Sequence, residues 1–374
     1  MTGAVDDARA MALALQLAER GMYSTDPNPR VGCVIVKDGQ YVGTGWHERA
    51  GEAHAEVHAL REAGAAARGA TAYITLEPCC HNGRTPPCTD ALIGAGIARV
   101  VAAMPDPNPL VSGQGLEALR RVGIVAEAGL MREQAEALNP GFIMRMRDGR
   151  PFVRMKLAAS LDGRTAMASG ESKWITGDPA RADVQRLRAR SSAILTGIGT
   201  VQADDPALTV RAIDTWRQPL RVVVDSRLRL SPVARVLAPP GSVLIATASE
   251  DAGRTRPLRQ AGAEILCLPQ ARGQVDLAEL MHRLAARGMN EVLVEAGATL
   301  CGAMLAAGLA DELVIYLAPH LMGAQARGMF AVPGLERMRD RVALEVRDMR
   351  AVGDDWRVVA SVRRVSAAVV DGGG

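Results

Sequence analysis

The run His54-Ala55-Glu56, followed by Pro78-Cys79 and then Cys88, constrains the fold of this chain more than any other feature. One imidazole and two thiols supply three ligands of a tetrahedral zinc site and leave its fourth position open to water, as in catalytic rather than structural zinc sites. Glu56, two residues beyond the histidine, can take a proton from that water and hand it to a leaving group. His54 and Glu56 at the start of one helix, with Cys79 and Cys88 around the start of another, suit this chemistry, because the positive end of a helix favours a ligating thiolate. Rival ligands are weaker. His58 lies one turn after His54, but His-Ala-Glu-Val-His is not the metalloprotease order His-Glu-x-x-His. Cys80 adjoins Cys79, and adjacent residues rarely bind one ion. His81, between the two cysteines, is better suited to contact substrate.

The hydrophobic pattern places this site in an α/β domain. Asp7–Arg20 is amphipathic and ends at Gly21. Val31–Val36 and Tyr41–Gly45 form a hairpin around Asp38-Gly39. A helix is expected from His54 to Ala67, a buried strand over Thr71–Leu76 and a helix over Cys88–Ala95. A strand at Arg99–Met104, a helix at Leu116–Val122, a short edge at Ile124–Ala126 and a helix at Arg132–Leu138 follow. Strands alternating with helices imply three layers. Asn139-Pro140-Gly141, Gly149 and Pro151 punctuate the chain, so a boundary is expected near residue 148. Beyond it, strands are expected at Phe152–Ala158, Ala193–Thr196, Leu220–Asp225, Val243–Ala246, Glu291–Val294 and Glu312–Leu317. Helices are expected at Pro179–Arg190, Val275–Arg287 and Thr299–Ala307, and an antiparallel pair at Val342–Met349 and Trp356–Val362. The domains are therefore expected at 1–148 and 149–366, with a disordered tail over 367–374.

Charge and composition narrow the partners. Residues 1–148 carry 14 basic and 17 acidic side chains, leaving 30 and 24, a surplus of six, for the remainder. Such a surplus suits a phosphorylated small molecule but is too dispersed for nucleic acid, and an aromatic content of 3% offers few bases a stacking platform. No apolar run reaches membrane-span length, and Asp6 and Asp7 stand where a secretory signal would be basic. Of the six cysteines, three cluster around the proposed metal; Cys33, Cys267 and Cys301 sit in apolar surroundings and read as core residues of a cytoplasmic protein. No dinucleotide fingerprint GxGxxG follows residue 150. Val294–Gly302 does read as a strand turning through Gly297 into a helix, a geometry that aims N–H groups at an anion.

The order His-x-Glu … Pro-Cys … Cys is that of zinc nucleobase deaminases, although eight residues rather than two separate the cysteines here. That gap becomes an identifying mark. The run from Thr75 through Glu77-Pro78-Cys79-Cys80-His81-Asn82-Gly83-Arg84 to Cys88 resembles the deaminase half of the bifunctional riboflavin-biosynthesis deaminase/reductases. Pro27-Asn28-Pro29, Gly43–His47 and Asp106–Pro109 match the same family, which commonly has serine where this chain has Cys80. The resemblance implies zinc-dependent removal of the 2-amino group from a diaminopyrimidinone bearing a phosphoribosylamino arm. It implies that Asn28, His81 and Arg84 hold the ribose phosphate and that His47 faces the ring. Arg84, a fork-shaped donor on a loop between two metal ligands, suits that task physically.

Lys156–Thr176, Thr200–Arg211 and the 294–302 segment resemble the reductase half of the same enzymes. Its fold is similar to dihydrofolate reductase, which binds NADPH without the glycine fingerprint. The implied reaction reduces the opened ribosyl chain to ribityl. By resemblance, Ala158, Trp174, Thr200, Asp204, Ser226, Gly297, Ala298, Thr299, Leu300, Cys301, Gly302 and Ala303 contact NADPH. Ser172, Arg188, Leu208, Arg211 and Glu295 contact substrate, with Arg188 and Arg211 as phosphate clamps. Lys156 or Asp204 would supply the proton that accompanies hydride transfer. The expected architecture is thus a cytidine-deaminase-like domain followed by a dihydrofolate-reductase-like domain, with Zn²⁺ and NADPH as cofactors and a homo-oligomeric state implied by the family. Two other readings were weighed. A nucleic-acid base deaminase conflicts with the cysteine spacing and composition. A structural zinc module lacks a fourth ligand and leaves Glu56 without a task.

Overall fold

The computed structural model describes residues 5–81, 86–109 and 111–363, so Arg84 and the 367–374 tail lie outside the described residues. The chain divides into two compact units, Met1–Pro151 with Ala285–Asn290, and Phe152–Leu284 with Glu291–Gly374.

In the first unit the elements run α1 (Asp7–Glu19), β1 (Gly32–Lys37), β2 (Gln40–Trp46), α2 (Ala55–Ala63), β3 (Thr71–Ile74), α3 (Cys88–Ala95), β4 (Arg99–Ala102), α4 (Gln114–Arg121), β5 (Val125–Ala128), α5 (Arg132–Leu138) and α6 (Pro140–Asp148). The sheet order is β2-β1-β3-β4-β5, with β1 antiparallel to both neighbours and β3, β4 and β5 parallel. Side-chain alternation along the strands builds a core on each face. Cys33, Ile35, Ile74, Val100 and Ala102 pack against α2, α3 and α4. Val34, Val36, Tyr73, Val101 and Ala103 pack against α1 and α5. The expected three layers are present.

Two glycines let α2 lie unusually close to β2. A Cβ on Gly43 would sit 2.2 Å from the Ala59 carbonyl oxygen, and one on Gly45 would sit 2.3 Å from that of Ala55. This contact presses the first turn of α2 onto the sheet. The expected His54–Ala67 helix is shorter than its apolar pattern suggests: His54 is the N-cap, and Gly64 at φ 52° ends α2 before a 3₁₀ turn over Gly64–Ala67. Conversely, α6 occupies residues whose Pro140 reads as punctuation. The proline stands in the first turn, where its missing N–H costs nothing.

The second unit contains β6 (Phe152–Ser160), α7 (Asp178–Arg190), β7 (Ala193–Gly197), α8 (Ile198–Asp204), β8 (Leu220–Val224), β9 (Val243–Thr247), α9 (Ala252–Gln260), β10 (Ala263–Cys267), α10 (Leu277–Ala286), β11 (Glu291–Val294), α11 (Ala298–Ala306), β12 (Glu312–Ala318), β13 (Leu344–Val352) and β14 (Asp355–Val362). Its nine-stranded sheet has the order β10-β9-β8-β7-β11-β6-β12-β14-β13. The first seven strands are parallel, and β14 and β13 complete the sheet as the expected antiparallel pair. The sequence reading missed α8, α9 and β10. In α9 only Thr255 and Leu258 are buried, with Pro257 inside the helix, and β10 is a partly exposed edge strand. Cys267, expected in the core, is therefore only half-buried, whereas Cys33 and Cys301 are buried. Among the described residues no helix is long and apolar enough to cross a membrane.

Candidate active sites

In the first unit, α2 and α3 bring their leading residues together beyond the C-terminal end of β3. One ligand atom each from His54, Cys79 and Cys88 falls within 4.8 Å of the others. The Nδ1 of His54 lies 3.2 Å from the Cys88 sulfur and 3.6 Å from that of Cys79. The two sulfurs are joined by a shared hydrogen bond. A hydrogen bond from the Cys88 thiol, aided by His54, lowers Cys79 to about 4 in spite of burial. The same shared proton, together with burial, pushes Cys88 up. The leading backbone N–H of α3, that of Cys88, also points at the Cys79 sulfur at 3.4 Å. The start of a helix was expected to favour a ligating thiolate, and the leading N–H of α3 supports one at Cys79. His54 is raised by its contact with the Cys79 sulfur.

Glu56 is 3% exposed, and its Oε2 is buried without a hydrogen-bond partner. Burial raises its pKa, so its proton is held more tightly than by a surface glutamate. An imidazole, two cysteine sulfurs and a buried carboxylate with one unpartnered oxygen make a donor set suited to zinc and a bound water.

His47 and Asn28 join this cluster. The His47 ring packs edge-on against His54 with centroids 5.3 Å apart. His47 Nδ1 lies 3.1 Å from the Ala53 carbonyl, which can only accept, so Nδ1 carries the proton. Its Nε2 accepts from the Asn28 amide at 3.1 Å. Burial lowers the His47 pKa, in keeping with a neutral ring fixed in one tautomer. His81 is exposed at the mouth of the cluster, and its charge opposes the rise of Asp106, which burial pushes up to about 6. His58 does not belong to the group of candidate ligands.

In the second unit, the expected residues fall at the C-terminal ends of parallel strands, where α/β sheets bind ligands. Lys156 and Ala158 lie on one face of β6, Thr200 follows β7, Ser226 follows β8, and Glu295 and Gly297 follow β11. Arg188 grips Glu295 with two bonds of 2.6 and 2.9 Å and donates to the Thr209 carbonyl at 3.1 Å. Burial would raise Glu295, but Arg188, Lys156 and Arg211 together lower it. Lys156 is itself lowered, chiefly by burial and also by Arg188, against the pull of Glu295. Three cations thus surround one carboxylate, an excess of positive charge suited to an anionic ligand.

Asp204 accepts from Ser172 at 3.4 Å and sits 3.6 Å from the Lys173 ammonium. Leu208, buried at φ 51°, is held in the left-handed region that leucine rarely adopts. Trp174 is 72% exposed, with the Arg181 guanidinium 4.6 Å from its ring centre. Ser226 Oγ accepts from Val275 N at 3.3 Å. At the start of α11, Gly297 N donates to Thr200 Oγ1 at 3.1 Å. The first-turn N–H groups of Ala298, Thr299 and Leu300 have no carbonyl to meet within the helix, which leaves a donor array suited to an anion. Cys301 and Gly302 are buried in the same helix; a Cβ on Gly302 would lie 2.1 Å from the Ala331 carbonyl, so Gly302 serves packing. Ala303 lies one turn into the helix.

The sequence reading missed Glu77 because its partners are backbone N–H groups, which carry no residue signature.

Comparison with known proteins agrees with both halves. Residues 4–104 match the cytidine and deoxycytidylate deaminase zinc-binding region, and residues 151–358 match the RibD C-terminal domain. The chain is 54% identical over 363 residues to the riboflavin biosynthesis protein RibD of Escherichia coli, covering 94% of this chain and 98% of that protein. It is 47% identical to the RibD of Haemophilus influenzae over 368 residues, 95% of this chain and 97% of that one. Among solved structures, RibD of Acinetobacter baumannii superposes with a TM-score of 0.89 at 47% identity, covering 96% and 99% of the two chains. A Thermotoga maritima protein described as a diaminohydroxyphosphoribosylaminopyrimidine deaminase/5-amino-6-(5-phosphoribosylamino)uracil reductase superposes at 0.84 with 35% identity, covering 95% and 98%.

Proposed function

The chain belongs to the RibD family of bifunctional riboflavin-biosynthesis deaminase/reductases, and on that premise we propose the chemistry of each of its sites. The substrate is 2,5-diamino-6-(5-phosphoribosylamino)pyrimidin-4(3H)-one, deaminated at C2. The product, 5-amino-6-(5-phosphoribosylamino)uracil, is then reduced to its ribityl form. The observation that carries the reading is the buried, unsatisfied Glu56 carboxylate beside three converging metal ligands.

His54, Cys79 and Cys88 would hold Zn²⁺, which when bound acidifies a water molecule toward neutral pH. Glu56 takes a proton from water and returns it to the departing ammonia; its raised pKa brings it nearer to the working pH of such a shuttle. His47, locked in one tautomer between Ala53 and Asn28, presents a fixed edge to the pyrimidine. Asn28, His81 and Arg84 bind the ribose phosphate.

In the second unit, NADPH supplies hydride. Ala158, Trp174, Thr200, Asp204, Ser226 and residues 297–303 would hold the cofactor, the N–H groups at the start of α11 serving as phosphate donors and buried Gly302 acting through the packing of that helix. Ser172, Arg188, Leu208, Arg211 and Glu295 hold the substrate. Lys156 is the better proton donor of the two candidates, because burial has loosened its proton, while Asp204 is engaged by Ser172 and Lys173. We place the deaminase in residues 1–148 and the reductase in 149–366. A cytoplasmic homo-oligomer acting on small phosphorylated pyrimidines, without nucleic acid or membrane, completes the proposal. Incubation with the diaminopyrimidinone phosphate and NADPH tests it: ammonia release and NADPH oxidation should proceed in equal amounts, ammonia first. NADPH oxidation without ammonia, or ammonia without any NADPH oxidation, would contradict it.

A further inference from the structure

Glu77 is 3% exposed and precedes the Pro78-Cys79 pair that delivers one zinc ligand. Its Oε2 accepts from Asp106 N at 3.0 Å and Gly113 N at 2.9 Å, and its Oε1 from Gly115 N at 2.9 Å and Leu116 N at 3.1 Å. Its own N–H donates to the Met104 carbonyl at 2.9 Å. Four backbone donors around one buried carboxylate replace the counter-cation such a group ordinarily needs. Two of the four come from the first turn of α4, whose positive end also favours the negative charge. The packing beneath is equally tight: a Cβ on Gly115 would stand 2.1 Å from the Pro78 carbonyl oxygen.

These bonds join two segments, which on the deaminase reading form facing walls of its site. One wall is the segment Glu77–His81, with Cys79 as ligand. The other is the loop from Asp106 to α4, which has no zinc ligand. The charges of His81 and Cys79 both reach Asp106, which sets the start of that loop beside the zinc-bearing segment. A glutamate is suited to this place because both oxygens accept twice; glutamine would turn an NH₂ against two donors, and aspartate is one methylene short.

We propose that Glu77 is a positioning residue of the deaminase, setting the width of the substrate site by fixing the 106–116 wall to the zinc-bearing wall. The inference rests on the deaminase reading above. It is a role in substrate fit rather than in metal binding, since none of the four bonds involves a ligand side chain.

The test is Glu77→Gln in the full chain. Zinc should remain at one per chain, and the ligand-field spectrum of the cobalt-substituted protein should match wild type. The deaminase KM for the pyrimidine phosphate should rise about ten-fold or more, with kcat less affected. Backbone exchange over 106–116 should speed up. Gly115→Ala, which forces the same two walls apart while keeping the carboxylate, should reproduce the KM effect. An unchanged KM in both variants, or activity lost only in proportion to zinc, would overturn the inference. Absence of ammonia release by the wild-type chain would instead overturn the deaminase reading itself.

Discussion

Glu56 and Glu77 are both buried carboxylates of the first unit, yet their surroundings separate their tasks. One has an oxygen with no partner, and the other has four backbone donors. Glu56→Gln should keep stoichiometric zinc, leave reduction of the aminouracil phosphate intact, and lower deamination by about 10²–10⁴-fold; metal analysis and the two separate assays check this. A different carboxylate contributes to acid stability. Asp7 is lowered to about 2 from 3.8 by its hydrogen bonds to Arg99 and Tyr73. Because the folded value is depressed, its contribution is complete above about pH 4 and is lost as pH falls through about 2. With 45% of the Asp7 side chain exposed, that contribution is about 1 kcal/mol or less. Asp7→Asn should flatten the pH dependence of thermal unfolding between pH 4 and 2, and an unchanged slope would count against the Arg99 pairing. At this scale His54, Glu56, Cys79 and Cys88 were readable, since metal chemistry dictates side-chain type. The hydrogen bond between the two cysteine sulfurs was not, because it depends on how the fold places residues nine apart.

The elements were legible where burial imposed a period. Strands β1, β3, β4 and β6 are lined by buried residues and stood out as apolar runs, whereas α9 and β10, half-exposed at a sheet edge, gave no such pattern. Proline and glycine misled in opposite directions: Pro140 begins a helix, and Gly64 ends one earlier than its alanines suggested. The glycines of β2 have a function the sequence hints at only through the spacing of Gly43 and Gly45. They seat α2, and with it His54 and Glu56, against the sheet. Gly45→Ala should push α2 outward, destabilise the first unit by about 1–3 kcal/mol and lower both zinc retention and deamination. Calorimetry and metal analysis would show this, and the reductase KM should stay at its wild-type value. Full zinc occupancy with a wild-type melting temperature would contradict the packing argument.

At the scale of the molecule, two units with separate sheets carry chemically unrelated sites: a cysteine–imidazole cluster in one, and a carboxylate among basic side chains in the other. The first was evident from spacing alone. The second carries no glycine fingerprint: the turn through Gly297 into α11 was readable as an anion-facing helix start, but the assignment of NADPH to it came through resemblance. We propose that these sites act in sequence but do not depend on one another for chemistry. Removing zinc with a chelator and assaying each reaction with its own substrate tests this most directly. Deamination of the diaminopyrimidinone phosphate should vanish and return on adding zinc, while NADPH oxidation with the aminouracil phosphate continues at the wild-type rate. Loss of both activities together on zinc removal would contradict the account.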